Sequence, residues 1–127
     1  MKTVSMSGVG IEVSELCFGT LTLGTLQASL SPEEGGRVIR KALDMGVTFF
    51  DTAQRYGSYP HLREGLAGWI DKVVVASKSS ETTYEDMQNA VEEALRELSK
   101  SVRRKLLWII ASAYFVDIVL HLARFSA

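Results

Sequence analysis

The sequence predicts an α/β domain built from parallel β/α units of the kind that make up a TIM-type (β/α)8 barrel. Three observations carry this. Apolar, β-branched runs alternate with amphipathic helical stretches, and such alternation lays helices over a parallel sheet. No Gly-x-Gly-x-x-Gly follows the first strand of the series and no P-loop is present, so the fingerprints of nucleotide-binding doubly wound sheets are missing. Polar residues stand at the carboxyl ends of successive strands, where parallel α/β folds gather their chemistry.

At the amino end, Lys2 to Ser5 and Ile11 to Ser14 flank the turn Ser7-Gly-Val-Gly10 and predict a small β-hairpin. Glu15 to Gly19 reads as a short buried strand. Ser31 is placed to cap a helix that opens on Pro32, with Glu34 three residues after the cap. Val38, Ile39, Ala42 and Leu43 form its apolar face, and Gly46 ends it. Val47 to Phe50 is a strand by its β-branched and aromatic content. Pro60 to Trp69 suits a short helix turning Leu62 and Leu66 inward, weakened by Gly65 and Gly68. Val73 to Ser77 is the next strand. Thr83 and Asp86 have capping-box-like spacing before Met87, Val91, Ala94, Leu95 and Leu98, which recur at helical spacing. Val116 to Leu120 is the candidate fourth strand, and residues 99–115 read as an insertion that lengthens the third helix.

Composition narrows the function. The 127 residues are 46% hydrophobic with a net charge of −1, which suits one domain, 1–127, with a single core. Near-zero charge disfavours a nucleic-acid partner. Cys17 is the only cysteine, so no internal disulfide forms, and no Cys/His spacing suits a metal site. A reducing, cytoplasmic setting is expected, since the opening MKTVSMSG lacks the apolar core of a signal peptide. Leu106 to Ala123 is nearly all apolar behind Arg103-Arg-Lys105, but it contains Asp117 and His121. A mid-membrane Asp costs about 2.5–3.5 kcal/mol, so a buried helix end running into a buried strand is the preferred reading over a membrane span.

Four residues occupy the chemically useful positions. Asp51 ends the second strand of the β/α series, Tyr56 follows in its loop, Lys78 ends the third strand, and His121 ends the candidate fourth. Singly, each has an ordinary structural role: a cap, an aromatic lid, a solvated lysine, a core histidine. Together they offer a proton donor. A phenol has a reference pKa of about 10 and is a poor acid at neutral pH, but a neighbouring ammonium favours the phenolate. Lys78 can supply that charge, Asp51 can keep it protonated and oriented, and His121 can hydrogen-bond a substrate carbonyl oxygen. Such a set suits carbonyl reduction by a hydride donor.

At these residues the sequence resembles the aldo-keto reductase family. The resemblance lies in Val13-Ser-Glu-Leu-Cys-Phe-Gly-Thr20, Ser31-Pro-Glu-Glu34, Val38-Ile-Arg-Lys-Ala-Leu-Asp-Met-Gly-Val47, Phe49-Phe-Asp-Thr-Ala53, Tyr56-Gly57, Val73-Val-Val-Ala-Ser-Lys78 and Asp117-Ile-Val-Leu-His121. It is nearly continuous over residues 1–98 and resumes near Val116. It implies a catalytic tetrad of Asp51, Tyr56, Lys78 and His121, with Tyr56 as general acid, and a cofactor, NADPH or NADH, beside Gly19, Thr20 and Asp51. The implied substrate is a small aldehyde or ketone. By the family's pattern the chain corresponds to the amino-terminal half of a barrel, about four strands. The spacing from Lys78 to His121 is longer than the family's. Four strands of an open barrel leave two unpaired edges, so self-association or pairing with a complementary half is expected. The alternative function is a catalytically inactive remnant or an interaction module acting through those edges.

Overall fold

The computed structural model describes residues 1–6 and 10–98, together with the backbone of 106–110. The predicted hairpin is present: β1 (Thr3–Met6) and β2 (Ile11–Ser14) are antiparallel, with Thr3 opposite Ser14 and Met6 opposite Ile11. A separate four-stranded sheet follows, made of β3 (Cys17–Gly19), β4 (Phe49–Asp51), β5 (Val74–Ser79) and β6 (Leu106–Ile110). Its spatial order is β3-β4-β5-β6 and every pairing is parallel. Helices α1 (Pro32–Asp44), α2 (Tyr59–Gly65) and α3 (Tyr84–Leu98) occupy the three connections between strands.

Alternation along the strands separates core from site. Phe18, Phe50 and Val75 are in register across β3, β4 and β5. They pack with Ile39 and Leu43 of α1, Leu62 and Leu66 at α2, and Ala94 and Leu98 of α3. Gly19, Asp51 and Ala76 form the next row. With a side-chain period of two, they and Lys78 point to the sheet face opposite the helices.

The helix starts follow the predicted chemistry. Ser31 Oγ accepts from the Glu34 N–H at 3.2 Å, and Glu34 Oε2 accepts from the Ser31 N–H at 3.0 Å, a closed capping box. Gly46, at φ +93°, ends α1. Thr83 Oγ1 accepts from the Asp86 N–H at 3.1 Å before α3.

Five expectations are corrected. The strand expected to be buried over Glu15 to Gly19 is confined to Cys17–Gly19, with Cys17 and Gly19 exposed. Val38 is 41% exposed and lies outside the core. The second helix runs Tyr59–Gly65, not Pro60 to Trp69. The helix ends at Gly65 and turns follow, in which Gly68 adopts φ +78°; Leu62 and Leu66 are nonetheless fully buried. β5 extends to Ser79, so Lys78 lies inside the strand. Finally, Leu106–Ile110 is itself the strand beside β5, with Val75 opposite Leu106 and Ser79 opposite Ile110. It does not lengthen α3. A continuous apolar run carries no period of its own, so a strand and a helix segment are not told apart by its pattern. The run Val116 to Leu120, expected in that place, lies outside the described residues. No helix among the described residues is long and apolar enough to cross a membrane.

The contact of α1 with α2 depends on glycine. A Cβ at Gly65 would sit 2.6 Å from both Cβ and Cγ2 of Ile39 and 2.8 Å from the Gly36 carbonyl oxygen. In an open helix, glycine to alanine gains about 0.5–1 kcal/mol. Here overlap reverses the sign, because part of the obstacle is backbone. Gly65→Ala is expected to destabilise the fold by about 1–3 kcal/mol in urea unfolding, and a stabilised variant would show that the helices can separate freely.

Candidate active site

The site is assembled where β4 and β5 end. The Thr20 N–H donates to the Asp51 carbonyl at 2.9 Å, and the Thr52 N–H donates to the Ala76 carbonyl at 2.8 Å. These bonds carry the sheet ladder past the last strand residues and fix the backbone around Asp51. Lys78 lies two residues beyond the strand partner of Asp51, on the same face. Its Nζ donates to Asp51 Oδ1 and Oδ2 and to the Thr52 carbonyl, each at 2.9 Å. Three acceptors match the three N–H bonds of an ammonium.

Tyr56 closes a single turn of 3-10 helix, Gln54–Tyr56, and Gly57 follows at φ +65°. That turn sets the phenol ring over Lys78, with Nζ 4.9 Å from the ring centroid. Asp51 and Lys78 are each partly exposed, at 35% and 26% of their side chains. A cavity of about 160 Å³ opens onto Lys78 and Tyr56, lined by Ala53, Arg55, Tyr56, Lys78, Ser79 and Ser80. Burial works against the charged form of Lys78, but the hydrogen bond and charge of Asp51, with Tyr56 alongside, outweigh it and hold the group above the ordinary lysine value. Cys17 is exposed on β3. Partial desolvation of its sulfur, then the Asp51 charge, raise its thiol pKa, with Lys78 opposing, so it is no ready thiolate.

The structure thus brings together three of the four predicted residues, Asp51, Tyr56 and Lys78. His121 lies outside the described residues. Gly19 is exposed at the end of β3 in register with Asp51. Thr20, expected beside a cofactor, is fully buried, its hydroxyl donating to the Asp51 carbonyl at 3.0 Å and lying 2.7 Å from Ser58 Oγ. It therefore supports the site from beneath and presents no surface to a ligand. Among the described residues, no group of three or more His, Cys, Asp or Glu is placed to hold a metal ion.

Sequence reasoning missed several supports. Ser58 and Thr52 join Thr20 in a buried hydroxyl cluster. Gln54 bridges β5 and α3, accepting from Ser79 Oγ at 2.6 Å and donating to Glu93 at 2.8 Å. Gly24 faces the Tyr56 carbonyl so closely that any Cβ would overlap it. The only sequence signal for these was a Ser, a Gln and a Gly in the loops that flank the strand ends.

A polar cluster beyond the strand ends of a parallel β/α sheet is the arrangement of the β/α-barrel enzymes. Comparison with known proteins makes the class specific. The family model "Aldo/keto reductase family" matches residues 15–106, and the chain belongs to that family. It is similar to an uncharacterized oxidoreductase, YrpG, of Bacillus subtilis, 34% identical over 88 residues, covering 61% of this chain and 26% of that protein. It is also similar to an aldo-keto reductase of Gibberella moniliformis, 37% identical over 90 residues, covering 65% of this chain and 27% of the relative. A solved structure assigned to the aldo-keto reductases, from Pseudomonas aeruginosa, superposes with a TM-score of 0.73 at 25% identity, over 92% of this chain and 49% of that one. The matched region thus spans about a quarter of the curated relatives and half of the solved structure.

Proposed function

We propose that this chain carries the proton-donating site of an NADPH- or NADH-dependent reductase of small aldehydes and ketones, with Tyr56 as general acid. The observation that carries this reading is the Lys78 ammonium, held between the Asp51 carboxylate and the Tyr56 ring. Gly19 offers a fit for a flat cofactor ring: it is exposed, its row continues to Asp51, and nothing lies within 4 Å of the Cβ it lacks. A bound nicotinamide supplies the hydride. Tyr56 gives its phenolic proton to the carbonyl oxygen as negative charge develops there. The Lys78 charge favours the phenolate left behind, while Asp51 and the Thr52 carbonyl keep Lys78 protonated and aimed. His121 is proposed to orient the carbonyl.

The test is a titration of the protein with NADPH, followed by nicotinamide fluorescence, and then addition of a small aromatic aldehyde. Saturable binding with aldehyde-dependent oxidation of NADPH is expected. Absence of binding by the folded protein overturns the reading.

A second reading has its own observation. Among the described residues β3 is paired on one edge only. Beside that edge a groove of about 720 Å³ runs between β3 and α1, lined by Leu16, Phe18, Val38 and Met45 among others. Leu16, Val38 and Met45 are 59%, 41% and 63% exposed. Exposed apolar surface next to an open strand is where a chain pairs with another. An interaction module, or an inactive remnant that self-associates, would form concentration-dependent oligomers in sedimentation without binding NADPH.

A further inference from the structure

We propose that Ser58 is a positioning residue, its buried hydroxyl locking the backbone that presents the Asp51 carboxylate and the Thr52 carbonyl to Lys78. The inference rests on the reading that Lys78 assists Tyr56, and it concerns how Lys78 is held.

Ser58 Oγ lies 2.7 Å from Thr20 Oγ1 and 2.8 Å from Thr52 Oγ1, and all three residues are fully buried. The direction of the chain follows from its end. Thr20 commits its single hydroxyl proton to the Asp51 carbonyl. Ser58 must then donate to Thr20, and Thr52 to Ser58, since each hydroxyl carries one proton. Every polar group of Thr52 is thereby used. Its N–H bonds Ala76, its hydroxyl bonds Ser58, and its carbonyl accepts from Lys78. The Asp51 carbonyl accepts two hydrogen bonds, both from Thr20. The two Lys78 acceptors, the Asp51 carboxylate and the Thr52 carbonyl, thus belong to adjacent residues whose backbone is held by Thr20 and Ala76 and whose Thr52 side chain is held by Ser58.

The location of Ser58 argues against a local role. It is the residue before α2, where a serine normally accepts from a helix N–H. Here it makes no side-chain cap, at φ −102° and ψ 4°. The hydroxyl is turned inward and joins the loop after β3, the loop after β4 and the start of α2. Removing its oxygen leaves the Thr52 proton without an acceptor in a site closed to solvent. Side-chain rotation alone would leave the main chain in place; in this proposal the Thr52 backbone shifts to give its hydroxyl a new partner, and its carbonyl moves away from Lys78.

The experiment observes the Lys78 ammonium directly by 15N–1H correlation of lysine Nζ groups near neutral pH, with the signal assigned by Lys78→Met. Slow exchange of the Lys78 ammonium with water is expected in the unsubstituted protein, from its three hydrogen bonds. Ser58→Ala should accelerate that exchange at least tenfold. Thr52→Val, which removes the same link without changing shape, should do the same, and Thr52→Ser should restore slow exchange. The second pair decides the matter if Ser58→Ala does not fold. Ile39→Val, which loosens the core away from the site, should leave the Lys78 signal in place. Unchanged Lys78 exchange in folded Ser58→Ala or Thr52→Val, or failure of Thr52→Ser to restore it, overturns the proposal. None of these readouts requires turnover, so loss of the reductase reading would appear separately, as absence of NADPH binding.

Discussion

Tyr56→Phe is expected to abolish carbonyl reduction while leaving the fold and any cofactor affinity intact. The change removes one oxygen and keeps the ring that lies over Lys78. Among the described residues, none that lines the cavity is suited to take over the proton. The obvious substitute is Lys78, but its ammonium already donates to Asp51 Oδ1, Asp51 Oδ2 and the Thr52 carbonyl. Arg55, which also lines the cavity, has no proton to give at neutral pH. Loss of a positioned general acid costs about 10²–10⁴-fold in rate, so kcat should fall by at least that factor. Steady-state turnover with NADPH and a small aldehyde measures it, with circular dichroism as the fold control. Turnover within a few-fold of the unsubstituted protein would remove Tyr56 from the mechanism.

The largest stability effect should come from Phe50→Ala. Phe50 is fully buried and in register with Phe18 and Val75 on the helix-facing side of the sheet. Its ring lies 6.0 Å from that of Phe18, tilted by 54°, a favourable geometry for an aromatic pair. Truncation of a buried phenylalanine costs about 3–5 kcal/mol, against a total stability of about 5–15 kcal/mol for a typical domain. Urea unfolding should therefore show a large fraction of the stability lost. Since Asp51 is the next residue along β4, site geometry should degrade with it. A cost below about 1 kcal/mol would mean that the ring does not hold the layers together.

Much of this architecture was legible because the chain signals it locally. Ser31 with Glu34, and Thr83 with Asp86, mark helix starts through hydrogen bonds made within four residues. Asp51 and Lys78 could be singled out because a polar side chain at the close of an apolar run has few reasons to be there. What was not legible depended on distant partners. Ser58 looks like any serine before a helix until Thr20 and Thr52 are brought to it. Val38 fits the apolar face of α1 by spacing, yet no residue of the described fold covers it enough to bury it. The strand Leu106–Ile110 is not legible in its own pattern, because five apolar residues in a row give neither a period of two nor one of 3.6. Its place was decided by the open edge of β5.

The three hydrogen bonds of Lys78 have a further chemical consequence. A free amine beside an aldehyde condenses with it to an imine, so a protein handling such compounds risks derivatising its own lysine. Condensation needs the nitrogen lone pair, and an ammonium held above its ordinary pKa with all three protons engaged has none to offer. The arrangement that keeps Lys78 charged toward Tyr56 therefore also lowers the fraction of free amine open to condensation with the carbonyl compounds proposed as its substrates.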